Sequence, residues 1–219
     1  MSARLGWVIG ALILLAGCSL QNKKDYSAYF AHQPRSILVV PAMNETTAID
    51  AQSIYITTIT RPLAERGFYV FPVQLTDALL KDLGLPEAGL AHQVPPERYY
   101  DYFGADAVLF VTITDWSNKY LVLQAQTVVT VSFVLKDTRT GAVLWEGTQS
   151  AIRGSGSGGG LIGMAIAAAV TYSLNEMIET DYRPLALQAN AQAFFTPGTG
   201  LPAGPYHPDF GRDKSQFVQ

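Results

Sequence analysis

Val128-Val129-Thr130-Val131-Ser132-Phe133-Val134-Leu135-Lys136-Asp137-Thr138-Arg139-Thr140-Gly141-Ala142-Val143-Leu144-Trp145 is the stretch whose reading decides the fold. Val129, Val131, Phe133 and Leu135 alternate with Thr130, Ser132, Val134 and Lys136. A period of two puts the first set on one face, so the segment reads as a strand half-buried against a core. Asp137 to Gly141 has the composition of a hairpin turn, and Ala142 to Gly147 is the returning strand. On the N-terminal side, Ala107-Val108-Leu109-Phe110-Val111-Thr112-Ile113-Thr114 is a third strand-like run. With Tyr120 to Leu135 it completes an antiparallel meander.

Further upstream the pattern changes. Arg35 to Val40 is a short β-branched run stopped by Pro41, which suits a buried strand. Asn44, Thr46 or Thr47 could cap the helix that follows. Ile49, Ile56, Ile59 and Leu63 lie near helical spacing within Ala48 to Glu65, with Pro62 weakening the pattern because an interior proline kinks or ends a helix. Phe68 to Phe71 reads as a strand between Gly67 and Pro72. Thr76-Asp77 opens a short helix containing Leu79, Leu80 and Leu83, and a proline-rich connection from Leu85 to Val94 leads to a helix starting at Pro95-Pro96-Glu97 and ending by Gly104. Downstream of the meander, a Gly/Ser segment from Gly154 to Gly160 precedes an apolar helix over Leu161 to about Thr180, then a helix from Pro184 to Phe195. The order β-α-β-α-α-β-β-β-α predicts one α+β, α/β-like domain over residues 34–195, with a mixed sheet of about five strands packed by helices. Residues 196–219 are rich in Pro and Gly and read as a loosely ordered tail.

The N-terminus carries a different signal. Arg4 precedes an uncharged run from Gly6 to Ala16, too short for a membrane span of roughly 20 residues. Leu15-Ala16-Gly17-Cys18 follows, then the polar Ser19 to Lys24. This tetrapeptide looks like a bacterial lipobox, and Cys18 is the chain's only cysteine. The expectation is a signal peptide over residues 1–17, diacylglycerol on the Cys18 thiol with a further acyl chain on the new amino group, and a tether over residues 18–33. Two or more acyl chains make attachment stable. Ser19, rather than Asp, after the cysteine favours the outer membrane. A periplasm-facing orientation is expected, with the cell-surface orientation left open.

Leu15 to Cys18, the strand Ser36 to Pro41, Gly104-Ala105-Asp106-Ala107-Val108-Leu109, the turn Asp137 to Gly141 leading to Leu144-Trp145, and the Gly/Ser run into an apolar helix together resemble a family of Gram-negative lipoproteins. That family was first noticed as a neisserial genome-derived surface-antigen candidate. The resemblance implies a domain similar to the N-terminal domain of TolB and to the periplasmic part of the curli-secretion lipoprotein. It also implies a non-enzymatic role in an envelope assembly, for transport or secretion. No catalytic residues can be carried over from it.

Composition narrows the partners. Only 15% of the chain is charged, and its net charge of −3 gives no basic character for nucleic acid. Gly154-Ser155-Gly156-Ser157-Gly158-Gly159 fits the dinucleotide pattern G-x-G-x-x-G, but it follows an antiparallel meander and no strand completes a βαβ unit, so it reads as a connector. His32, His92 and His207 are scattered over the tether, the proline-rich connection and the tail, so no cofactor or metal site is expected. Asp106 and Asp115 flank a strand and suit strand ends better than acid–base work. No G-x-S-x-G elbow appears. Leu161 to Val170 lacks polar residues but spans only ten positions, so it reads as a core helix in preference to a membrane element. Tyr99, Tyr100, Tyr102 and Phe103 are denser than one helix face needs; core packing is the default reading, and a partner contact is the alternative. The expected partners are therefore the membrane, through lipid on Cys18, and other envelope proteins or further copies of the chain. A module binding a small molecule or an envelope glycan is the second reading.

Overall fold

The computed structural model describes residues 24–121, 124–154 and 181–217. The signal peptide, Cys18, the Gly/Ser run beyond Gly154 and the apolar helix at 161–180 lie outside the described residues.

Helix α1, Ser27–His32, precedes strands β1, Ser36–Val39, and β2, Met43–Asn44. Helix α2, Ala51–Glu65, leads to β3, Tyr69–Val70. Helices α3, Val73–Asp82, α4, Ala88–Gln93, and α5, Pro96–Phe103, precede the meander of β4, Ala107–Leu121, β5, Gln124–Asp137, and β6, Val143–Gly154. Helices α6, Arg183–Phe195, and α7, Lys214–Phe217, end the chain. The sheet order is β3-β1-β4-β5-β6, with β2 also paired to β4. β1 runs parallel to β3 and β4, while β4, β5 and β6 are antiparallel. This is the mixed, helix-packed sheet that the alternation predicts.

Burial explains why the two ends of the sheet have different sequences. Ile37 and Val39 of β1 join Leu109 and Val111 of β4 on one face, against α2 and α6. Leu38, Val40, Val108 and Phe110 point to the other face, against Leu80, Ala91 and Tyr99 of α3, α4 and α5. Strands covered on both faces must be continuously apolar. Along Thr130 and Ser132, β5 is covered on one face only, so these two are left outside, where their hydroxyls pair at 2.9 Å with Ser150 and Thr148. A register shift in the β5–β6 pairing near Leu135 skips Leu144, which lets the adjacent Leu144 and Trp145 both be buried.

Several boundaries differ from expectation. Asn44, Thr46 and Thr47 do not cap α2, which starts after Asp50; Asn44 Oδ1 instead accepts from the Thr46 amide and hydroxyl within the loop. Helix α3 starts three residues before Thr76, because Pro72 fixes the entry backbone. The connection after Leu85 contains α4. β4 and β6 run well beyond Thr114 and Gly147, since antiparallel pairing carries polar residues along.

The largest correction concerns the two flanks. The tether read over residues 18–33 includes α1, whose Tyr29 is buried together with the preceding Tyr26. The segment read as a loose tail packs onto them. Tyr26 donates its hydroxyl to Gly200 O at 2.9 Å, and the Phe217 ring packs at a tilt with its centroid 4.8 Å from that of Tyr26. Arg66 Nε donates to Leu201 O at 2.6 Å, and Asp213 Oδ2 accepts from Arg66 Nη2 at 3.1 Å and from the Ala203 amide at 2.7 Å. Gly67 has φ +89, and a Cβ there would collide with His207. The tail therefore crosses where the backbone alone leaves room.

Candidate functional site

The chain leaves β1 through α2 to β3 on one side, then returns to β4 on the other side of β1. Such a reversal opens a crevice at the carboxyl end of the strands. A cleft of about 350 Å³ lies there, floored by Val39, Ala42 and Val73. Its walls come from the start of α2, with Ile49 and Gln52, and from α3, with Gln74, Asp77 and Lys81. Lys81 Nζ donates to Asp77 Oδ2 at 2.6 Å, so those two charges neutralise each other at the rim. Beneath the floor, the His92 ring packs edge-on against Phe110 at 5.3 Å, and its Nε2 lies 3.0 Å from Pro41 O. Burial lowers the His92 pKa, only partly offset by the Pro41 carbonyl, so the ring stays neutral and Nε2–H donates. Ser53, also at the cleft, donates its hydroxyl to Asp50 O at 2.8 Å.

Helix α3 turns Val73, Thr76 and Leu80 inward and Gln74, Asp77 and Lys81 toward the cleft. Its outward side carries Leu75, 68% exposed, Leu79, 38%, and the cap residue Leu83, 41%. Ile49, at the lip, is 98% exposed. The sequence offered a signal for this surface in the four-residue spacing of Leu75, Leu79 and Leu83. That stripe is easily mistaken for a core face, because Leu80 supplies a competing inward one.

The aromatic group on α5 is divided by the structure. Tyr99 is fully buried and donates to Ala91 O at 2.6 Å, with burial raising its pKa; it belongs to the core and is not available to a partner. Phe103 is half-buried against the same core. Tyr100 and Tyr102 remain accessible, one under the Arg139 guanidinium at 4.5 Å and the other bonded to Arg98 at 2.8 Å.

Asp106 does the expected strand-end work, whereas Asp115 lies inside β4, at the irregularity in its pairing with β5. Asp106 accepts from the Arg35 and Ser36 amides and from Arg139 Nη1 at 3.1 Å. Burial pushes its carboxyl up, but these donors outweigh it and the pKa is lowered. Asp115 is held the same way by Lys119 and Ser117. His32 and His207 do not line the cleft, and His207 Nδ1 accepts from the Asp209 amide at 3.1 Å. Among the described residues, no three His, Cys, Asp or Glu side chains converge on a metal-sized site. Gly154 ends β6, and no described helix is long and apolar enough to cross a membrane.

Comparison with known proteins adds to this geometry. The family described as "Putative lipoprotein GNA1162-like" matches residues 24–206. The lipoprotein NMB1124/NMB1162 of Neisseria meningitidis serogroup B is 34% identical over 178 residues, 80% of this chain and 83% of its own length. The crystal structure of lipoprotein GNA1162 from Neisseria meningitidis aligns with a TM-score of 0.54 at 38% identity, over 65% of this chain and 99% of that one. A looser likeness, at TM-score 0.40 and 22% identity, is to the PelC dodecamer of Paraburkholderia phytofirmans, over 70% of this chain and 90% of that one. It bears no weight for function.

Proposed function

This chain belongs to the GNA1162-like lipoprotein family, and from that premise we propose that it is a non-catalytic lipoprotein of the outer membrane, held by lipid on Cys18 and facing the periplasm, where it contributes to an envelope complex serving transport or secretion. The observation that carries the reading is the row of exposed leucines, Leu75, Leu79 and Leu83, on the outward side of α3. Contiguous exposed apolar area of this kind marks an interaction site. Confinement to a membrane raises effective concentration, so modest contacts suffice for assembly.

The test is covalent cross-linking of the native protein in intact membranes, followed by its isolation. The expected result is a discrete adduct of fixed stoichiometry. A protein that stays monomeric in every membrane preparation would remove the reading. The second reading, a binding module for a small molecule or envelope glycan, is favoured by the cleft itself, whose volume suits a small ligand. Saturable binding of glycan fragments to the monomer, measured by calorimetry, would carry it.

A further inference from the structure

We propose that the cleft between α2 and α3 binds an extended, uncharged peptide through one of its peptide groups and an aliphatic side chain. This rests on the second reading above, a binding module for a small molecule, and names the class of ligand.

The polar groups still free in the cleft select the ligand. Ser53 has already given its hydroxyl proton to Asp50 O, and Lys81 is closed on Asp77. Gln52 lines the α2 wall and Gln74 the α3 wall, and neither carboxamide has a hydrogen-bond partner among the described residues. A carboxamide both donates and accepts. A peptide group is planar and trans, so its C=O and N–H point in opposite directions. Laid across the cleft, one such group gives its N–H to the glutamine on one wall and accepts from the glutamine on the other. A phosphate or carboxylate has acceptors only and leaves half of this set unused.

The floor selects the side chain. In an extended segment the side chains alternate to either side of the backbone. With the backbone bonded to both walls, one side chain enters the floor of Val39, Ala42 and Val73 and the next faces water. These three are aliphatic and almost wholly buried, so they suit Val, Ile or Leu and leave a charged side chain desolvated without a partner. Ile49, 98% exposed at the lip, is an apolar side chain that such a ligand covers.

Two properties of the lining turn away other ligands. Its one cation and one anion neutralise each other at 2.6 Å, so nothing is left to hold a net charge. No described lining residue is aromatic, so the C–H face of a sugar ring has no partner on which to stack. The volume of about 350 Å³ suits a small ligand.

The experiment uses the full-length protein in phosphatidylcholine nanodiscs, with empty nanodiscs as background, and reads binding by saturation-transfer NMR. The probe is N-acetyl-leucine N-methylamide, which has two peptide groups around one aliphatic side chain. Saturable binding is expected, with the strongest transfer to the leucine methyls. The lysine and glutamate counterparts should stay at background. Gln52→Ala and Gln74→Ala should each weaken binding about fivefold. Gln192→Ala, exposed on α6, and Leu75→Ser, on the outward side of α3, should leave it unchanged. Unchanged melting temperatures verify that the variants fold. Methylating both amide nitrogens of the probe tests the same bond from the ligand's side, with no variant needed. Binding that survives both glutamine substitutions, or that N-methylation leaves intact, overturns the proposal. N-acetylglucosamine is the competitor. If it displaces the probe equally well and itself depends on both glutamines, the peptide assignment falls and the binding-module reading stands. No saturable binding of either compound removes both.

Discussion

Pro62 has no N–H to give to the Thr58 carbonyl four residues before it, yet α2 runs through both. The freed carbonyl is taken by Asn190 Nδ2 at 3.2 Å, and Asn190 Oδ1 accepts the Tyr55 hydroxyl at 2.8 Å. One fully buried amide on α6 therefore repairs a defect in α2 and locks the two helices together. Asn190→Leu leaves Thr58 O and the Tyr55 hydroxyl buried without partners, and should cost about 3 kcal/mol in urea denaturation. In a Pro62→Ala background the helix regains its own donor, so the same substitution should cost about 1 kcal/mol less. Equal costs in both backgrounds would show that the proline and the amide are unrelated. Pro62 was visible in the sequence as a weak point of the helix. Asn190 carried no signal at all, because only the packing of α6 on α2 gives its amide a task.

At the scale of elements, the strands with simple alternation were legible and the flanks were not. Residues 196–217 have little apolar periodicity, since they pack through isolated side chains and backbone carbonyls in place of a repeating face. Their hold depends on Asp213, which joins Arg66 and the Ala203 amide in a largely dry site. Asp213→Ala would leave the Arg66 guanidinium without its partner, and breaking a buried pair in this way costs about 3 kcal/mol. The expected outcome is a lower urea midpoint together with rapid trimming of the C-terminal segment in limited proteolysis. Protection equal to wild type would mean that the aromatic contacts of Tyr26 and Phe217 hold the segment by themselves. The aromatic run on α5 teaches the same lesson in reverse. Four rings in five residues looked like one surface, but the helix's turn sends Tyr99 inward and leaves Tyr100 and Tyr102 to arginines.

For the whole molecule, the decisive prediction concerns attachment. Cys18→Ser should abolish incorporation of labelled palmitate and block cleavage before residue 18, because a hydroxyl does not replace the thiol as acyl acceptor. The variant should leave the membrane fraction on washing, or persist there only as the uncleaved precursor. Equal labelling of wild type and variant would sink the assignment. The anchor is proposed from the sequence alone, because peptidase and acyl-transfer recognition read a short linear segment, which needs no fold to be recognised. The meander was legible because its period of two follows from one covered face, and so was β1, whose unbroken apolar run follows from two. What the sequence could not decide was which apolar residues would stay uncovered. Leu75 and Leu80 are the same residue type on the same helix, and only the position of β1 beneath α3 buries one and exposes the other. The cleft, the leucine stripe and the repair of Pro62 by Asn190 all arise between elements distant in the chain, so only the tertiary structure brings them into being.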